Sequence, residues 1–229
     1  MSWGEVFKIN SNMKKPLNEQ LREARFLPLR IITSNATFTP EKTGIYKVIC
    51  VGAGGSGTYY GATDEKRGSG GSGGVAIKTV KLVKGTGYSV TVGTTASFSY
   101  GSGSLTATAG TATSIVYKSY EVGAAGTASG GDYNYAGQPG NYQSSSTQGS
   151  CPTPGSVGVF ISELSRSSSR WVVLGGISTE ILQGNSILGY GGGGSAAFRA
   201  KTSTESTYDW GTTPGLPAAV IIIPLEMEG

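Results

Sequence analysis

The sequence predicts an all-β fold: a glycine-rich β-sandwich with packed polyglycine-type extended segments, preceded by a small N-terminal α/β attachment segment. Glycine supplies 38 of the 229 residues, and its runs stand beside apolar stretches of strand length. The apolar fraction of 37 % is low but well above that of a disordered chain. Flexible linkers lack β-branched and apolar runs, so the glycine blocks are predicted to be packed against one another.

Residues 1–35 are predicted to form a separate attachment segment. Val6–Ile9 is predicted to be a short strand, and Leu29–Ile32 another. Between them, Pro16 suits the first turn of a helix, and Leu17, Leu21 and Ala24 follow at helical spacing. This apolar surface is too large for so short a segment to bury. It is therefore predicted to pack on the β domain, on a second copy or on another protein, through Trp3, Val6, Phe7, Ile9, Leu17 and Leu21.

Residues 36–229 are predicted to form the β domain, in which strands and glycine blocks alternate. Tyr88, Val90 and Val92 alternate with Ser89 and Thr91, which is typical of a half-buried strand. The predicted strands cover residues 45–51, 75–83, 88–92, 105–109, 115–117, 157–161, 171–174 and 219–223, with a turn at 84–87. The polar stretches 58–67, 130–154 and 201–214 are predicted to be loops, and loops this long are usually functional or disordered.

The run from Gly68 to Gly74 gives the most specific packing signal. Gly68, Gly71 and Gly74 are spaced by three, and in an extended helix of three residues per turn only glycine fits where chains crowd together. Close backbone packing is therefore predicted at these three positions.

Composition excludes several classes of function. Only 14 % of residues are charged, and the net charge of +4 is scattered, so no nucleic-acid partner is expected. Histidine is absent, which removes the commonest metal ligand and general base. With no zinc-type ligand spacing either, no metal is predicted.

The two cysteines do not form a disulfide framework. Cys50 lies within a predicted strand, where a buried apolar role is expected. Cys151 lies in a Ser/Gly/Pro-rich stretch, and the sequence leaves open whether the two pair.

The chain carries no recognisable secretion signal and no apolar run long enough to cross a membrane. Membrane insertion is therefore not expected. The protein is predicted to be made in a cytoplasm and, if it acts outside a cell, to leave by lysis or within a particle.

One motif resembles a dinucleotide-binding fingerprint. Gly52–Gly57 fits G-x-G-x-x-G directly after a predicted strand, but the fingerprint needs a helix to receive the pyrophosphate. Residues 58–63 have no helical apolar period, so no cofactor is predicted.

Glycan hydrolysis would need paired carboxylates. Asp132 and Asp209 are the one loop pair worth naming, and nothing in the sequence fixes their separation. The chain is therefore not predicted to be an enzyme.

The glycine blocks and their flanking strands resemble the glycine-rich domain at the ends of bacteriophage tail fibres, a family of receptor-binding tip adhesins. The likeness covers residues 36–229 and is clearest in Gly44–Gly57, Gly68–Val80 and Lys84–Gly93. It continues in Gly191–Gly194 and Ala218–Ile223, and the stretch from Trp3 to Asn18 is similar to the start of small phage and prophage tail proteins. The later glycine blocks contain a smaller share of glycine than those of the family and keep more β-branched strand residues. Partial polyglycine packing is therefore expected, beside a conventional β-sandwich.

The resemblance implies a protein of the phage tail, or of a tail-like particle, that recognises a receptor on the bacterial surface. Its expected partners are other tail-fibre or baseplate proteins and a bacterial surface glycan or outer-surface protein. The sequence leaves open a monomeric cap or a homotrimer. The alternative function is a structural tail or baseplate component without receptor contact.

Aromatic residues in the polar, glycine-punctuated stretches are the candidate receptor contacts. Tyrosine and tryptophan give large, stiff, amphipathic contact area, with Ser, Gly and Asn as adaptable partners. For any one of them the alternative is an ordinary aromatic folded onto the domain. The set is Tyr59, Tyr60, Tyr133, Tyr135, Tyr142, Tyr208 and Trp210.

Overall fold

The structure, a computed structural model, describes residues 27–60, 66–116, 119–144, 159–160, 173–174, 189–193, 196–200, 209–212 and 214–228. These residues form 20 strands and no helix, so the predicted all-β fold is confirmed for them. The predicted strand at 6–9 and the predicted helix beginning near Pro16 lie outside the described residues, as do all six predicted assembly residues.

The strands are β1 (Arg30–Ile32), β2 (Ala36–Phe38), β3 (Gly44–Val51), β4 (Thr58–Tyr60), β5 (Lys66–Gly68), β6 (Val75–Leu82), β7 (Tyr88–Val92), β8 (Ala96–Tyr100), β9 (Gly103–Ala107), β10 (Ser114–Val116), β11 (Ser119–Glu121), β12 (Ala128–Ser129), β13 (Tyr133–Tyr135), β14 (Tyr142–Ser144), β15 (Val159–Phe160), β16 (Val173–Leu174), β17 (Gly189–Tyr190), β18 (Ala196–Ala200), β19 (Asp209–Thr212) and β20 (Ala219–Met227).

Two five-stranded antiparallel sheets form a sandwich, which we call the base. The first sheet has the order β1-β20-β3-β6-β13, and the second has the order β12-β9-β8-β7-β2. Smaller sheets are formed by β14-β5-β4, β15-β16-β17, β10-β11 and β18-β19. The predicted β-sandwich is therefore present.

The main core of the base lies between its two sheets. Alternate residues of β3, β6 and β20 face alternate residues of β7, β8 and β9, as the two-residue period of a strand requires. Phe98 and Leu105 are fully buried, and Phe98 stacks on Tyr88 with ring centroids 5.9 Å apart. Cys50 is buried in this core, as predicted, and it is a free cysteine, a point that the sequence left open. Burial raises the pKa of its thiol to about 12.

The other face of the first sheet is also apolar. Ile49, Val51, Val75 and Ile221 are buried there together with Tyr190 of β17. Because residues on both faces are apolar, β3 and β20 read as nearly continuous hydrophobic runs rather than as alternating ones.

The longer predicted strands are confirmed, with small shifts at their ends. Residues 45–51, 75–83 and 88–92 correspond to β3, β6 and β7, and the strand predicted at 105–109 lies two residues earlier as β9. The strand β8 was not predicted, although its Ala, Phe and Tyr alternate with serine.

The prediction of loops at 58–67, 130–154 and 201–214 is wrong for the parts of them that the structure describes as strands. Those parts are β4, β5, β13, β14 and β19. Each of these strands is three or four residues long, too short for a hydrophobic period to appear in a polar sequence. They form because neighbouring strands supply backbone partners.

The strand β1 belongs to the base although it precedes the predicted domain boundary at residue 35. Its residues Arg30, Ile31 and Ile32 pair with Ile222, Ile221 and Val220 of β20.

Candidate functional site at the end of a glycine lattice

Extended segments leave the base side by side, and we call them together the lattice. Within the described residues there are seven, comprising 52–57, 69–74, 108–113, 122–127, 136–141, 191–193 and 214–218. Five of them run directly between a strand of the base and a strand beyond it, as β3 runs through 52–57 into β4. The small strands that they reach, β4, β5, β10, β11 and β14, together with β18 and β19, are called the tip.

Hydrogen bonds between lattice segments recur at every third residue. Gly52 and Gly55 donate to the carbonyls of Gly74 and Gly71 at 3.0 and 2.8 Å. Gly71 and Gly74 in turn donate to Thr111 and Thr108 at 3.1 and 3.0 Å. A period of three is that of extended helices with three residues per turn, so the predicted polyglycine-type packing is present.

The segment 69–74 lies at the centre of the lattice. It exchanges backbone hydrogen bonds with five other segments, comprising 52–57, 108–113, 122–127, 136–141 and 191–193. A Cβ at Gly71 or Gly74 would overlap the carbonyl of Ala124 or Thr127, and one at Gly68 would overlap the Thr113 side chain. Close packing at Gly68, Gly71 and Gly74 is therefore confirmed.

At three residues per turn the central segment has three faces, and its two serines occupy the face that carries no glycine. Ser69 and Ser72 are fully buried, and their hydroxyl oxygens accept hydrogen bonds from the backbone amides of Asn141 at 2.7 Å and Gln138 at 2.8 Å. Glycine was predicted at the crowded positions, but these serines were not singled out. The signal was present, since residues 69–74 are two Ser-Gly-Gly triplets.

Thr113 joins the lattice to the tip. Its amide donates to the Ser56 carbonyl at 3.1 Å, its hydroxyl donates to the Ser69 carbonyl, and it accepts from the amide of Gly123 at 3.1 Å. Its own carbonyl accepts from the Thr58 hydroxyl at 2.7 Å. This buried threonine thus joins its own segment to three others, 52–57, 69–74 and 122–127, and to the first residue of β4.

The tip is a cluster of paired strands. Its central sheet has the order β14-β5-β4, with Thr58 and Tyr142 both paired with Gly68 from opposite sides. The hairpin β10–β11 and the pair β18–β19 both contact this sheet. The chain connections 61–65, 117–118 and 201–208 each link two strands of the tip.

The tip brings together four of the seven predicted receptor contacts. Tyr59 and Tyr60 lie in β4, Tyr142 lies in β14, and Trp210 lies in β19, where it pairs with Arg199. Tyr208 lies outside the described residues, in the connection between β18 and β19. Sequence reasoning missed Tyr120, an exposed aromatic residue of β11 in the same cluster.

The other two predicted contacts lie on the base instead. Tyr133 and Tyr135 belong to β13, the edge strand of the first sheet, where they pair with Ile77 and Val75. Their exposed fractions are 62 % and 42 %. The six residues 136–141 separate β13 from Tyr142, a distance of roughly 20 Å at the rise of an extended helix. The predicted receptor contacts that the structure describes are thus divided between the tip and the base.

Asp132, one of the two carboxylates considered for catalysis, is held in a structural contact. One carboxylate oxygen accepts from Lys78 Nζ at 2.8 Å and the other from the Thr79 amide at 3.0 Å. These two hydrogen bonds hold the pKa of Asp132 below its usual value. These contacts hold the residue that precedes β13 against β6.

The G-x-G-x-x-G run forms part of the lattice. Gly52–Gly57 is extended and leads into the strand β4, and a Cβ at Gly52 or Gly55 would overlap the carbonyl of Thr108 or Thr111. Its glycines therefore serve backbone packing.

No helix among the described residues has the length and apolar character needed to cross a membrane.

Residues 33–217 match the family model described as a glycine-rich domain. This range takes in most of the lattice and all of the tip, but it leaves out the adjacent base strands β1 and β20. No curated protein matches the chain.

Proposed function

Since the chain belongs to the glycine-rich domain family, whose model covers most of the lattice and the whole tip, we propose that it is the receptor-binding tip protein of a bacteriophage tail or of a tail-like particle. The observation that carries the proposal is the gathering of the tip strands at one end of a rigid lattice. The resemblance of the glycine blocks and of the N-terminal stretch to phage tail proteins supplies the biological setting.

The tip has the chemistry of a recognition surface. Its strands bring together Tyr59, Tyr60, Tyr120, Tyr142 and Trp210, and tyrosine and tryptophan supply large, stiff, amphipathic contact area for binding. Residues 61–67, which comprise the connection after β4 and the first two residues of β5, include two acidic and two basic residues. With this local balance of charge, recognition rests on aromatic contact and hydrogen bonds more than on net charge.

The receptor in this proposal is a bacterial surface glycan or an exposed part of an outer-surface protein. Binding by a single tip is weak, in the micromolar to millimolar range, and several copies on one particle raise the effective affinity by about 10²–10⁴-fold. The N-terminal stretch that contains Trp3, Val6, Phe7 and Ile9 attaches the chain to other tail-fibre or baseplate proteins.

A second candidate function is that of a structural spacer in the tail or baseplate, without receptor contact. The lattice favours it, because closely packed, hydrogen-bonded segments make a stiff body whatever the tip does.

Binding to bacteria separates the two functions. The full chain, fused to a fluorescent reporter and multimerised, is incubated with a panel of bacterial strains. Two variants are compared with the original chain: a tip variant with Tyr59→Ala, Tyr142→Ala and Trp210→Ala, and a base variant with Tyr133→Ala and Tyr135→Ala. The base variant is a matched control because it removes aromatic side chains of the base, Tyr133 and Tyr135, that are exposed to solvent.

We expect strain-selective binding that falls at least about tenfold in the tip variant and persists in the base variant, with both variants folded by thermal melting. Binding to no strain would favour the spacer function. Binding lost only in the base variant would place the receptor site on β13 instead of the tip.

A further inference from the structure

An apolar groove of about 290 Å³ opens at one side of the base. It lies between β1 and β2, which are edge strands of the first and second sheets. Tyr46 and Ile222, both buried members of the main core, form its floor. Leu27, Ile32 and Phe38 form its walls and are only partly buried.

The groove is suited to apolar side chains. Its volume is near the lower end of the range of about 300–1,000 Å³ found for small-molecule sites. The charged residues at its rim, Arg30 and Glu41, already pair with each other at 3.2 Å. An occupant with aliphatic side chains would shield the exposed edge of the main core from water and so gain the burial free energy of its own side chains.

We propose that the groove is covered by the chain's own N-terminal segment, through the predicted helical stripe of Leu17, Leu21 and Ala24. The short stretch of chain between these residues and the groove supports the assignment. Leu27 is itself part of the groove wall, and Ala24 precedes it by three residues, so that the two can be no more than about 11 Å apart. Leu21 is six residues from Leu27 and lies within about 22 Å by the same limit.

The tether also favours this occupant over a second copy. A segment joined by so short a linker is present at an effective concentration in the millimolar range, whereas a separate chain competes only at its own concentration. The assignment divides the predicted assembly residues: Leu17 and Leu21 pack on the base, and Trp3, Val6, Phe7 and Ile9 are left for attachment to a partner. It does not depend on the receptor-binding proposal.

Amide hydrogen exchange of the full chain tests the assignment. A variant with Leu17→Ser and Leu21→Ser removes the apolar stripe. The matched control, Glu19→Ser and Arg22→Ser, changes the opposite side of the same predicted helix. The readouts are the amides of Ile32 and Phe38 in the groove walls, and the Gly71 amide in the lattice serves as an internal reference for an intact fold.

We expect exchange at Ile32 and Phe38 to become about tenfold faster or more in the Leu17/Leu21 variant, with no change in the control variant or at Gly71. Equal exchange in both variants and in the original chain would overturn the proposal. Groove protection that disappears on dilution, in step with dissociation of an oligomer by sedimentation, would also overturn it and assign the groove to a second copy.

Discussion

At the residue scale, glycine allows neighbouring backbone segments of this chain to pack in close contact. Gly71 shows this most directly, because a Cβ there would overlap the carbonyl of Ala124 on a neighbouring segment. Gly52 and Gly137 are in the same situation against Thr108 and Ser72. A side chain at any of these positions would separate segments whose hydrogen bonds depend on their contact.

The substitution Gly71→Ala is expected to lower the free energy of unfolding by about 2 kcal/mol or more, since backbone atoms cannot move aside as a flexible side chain can. Chemical denaturation measures the change. Gly101→Ala is the matched control, because Gly101 has open space around its Cβ position and an ordinary φ angle, and its effect should stay within about 0.5 kcal/mol. Equal stability of the two variants would mean that the lattice is not tightly packed at Gly71.

The spacing of Gly68, Gly71 and Gly74 was enough to predict close packing, because period three leaves few alternatives for a glycine run beside strands. The same period of three places Ser69 and Ser72 on one face of the central segment, but the hydrogen-bond partners of these serines and of Thr113 could not be predicted. Their hydroxyl groups bond to backbone atoms of segments that lie far away in the sequence, and nothing local in the sequence identifies those partners.

At the element scale, the predictability of a strand depended on its length and burial. The eight-residue strands β3 and β6 carry enough apolar residues to be recognised, and β7 shows a clear alternation. The tip strand β4 and the base strand β13 have three residues each and contain polar and aromatic side chains. They are defined by their partners in space, so sequence patterns gave no signal for them.

The strand β1 gives an element-scale prediction. A chain that begins at Leu27 keeps β1, whereas one that begins at Asn35 loses its pairing with β20 and the packing of Ile31 and Ile32. We expect the shorter chain to be less stable by about 2 kcal/mol, which corresponds to a melting temperature lower by roughly 4–8 °C.

Thermal melting of the two chains measures this difference, and both lack the same first 26 residues, so the N-terminal segment does not affect the comparison. Equal melting temperatures would show that β1 contributes nothing to the base and that the boundary at residue 35 is also the stability boundary.

At the scale of the whole molecule, base, lattice and tip follow one another along a single direction. The chain passes between base and tip repeatedly, as in β3 to β4, β5 to β6 and β9 to β10. The sequence indicated strands alternating with glycine blocks. It could not indicate that the blocks lie side by side, because hydrogen bonds such as Gly52 to Gly74 and Gly54 to Leu216 join distant positions.

Because the base and the tip lie at opposite ends of the lattice, an antibody fragment bound to an inserted peptide epitope is expected to affect binding to bacteria differently at the two ends. The β8–β9 turn at Gly101-Ser102 lies at the end of the base remote from the lattice, because β9 runs from that turn to the lattice at Thr108. At the other end, Tyr117 and Lys118 connect β10 to β11 in the sequence, and both of these strands belong to the tip. Both sites join two paired antiparallel strands, so each is a matched control for the other.

An antibody fragment against the inserted epitope is added to each reporter fusion before it meets a strain that the original protein binds. Under the receptor-binding proposal, the fragment should reduce binding at least about tenfold when the epitope lies in the tip, because it occupies the receptor-facing end. It should have little effect at the base turn, which the lattice and the tip strands keep roughly 40–50 Å away, given the rise of extended segments and strands. Equal inhibition at both sites, or inhibition only from the base turn, would place receptor contact on the base and leave the lattice without a role in presenting the tip.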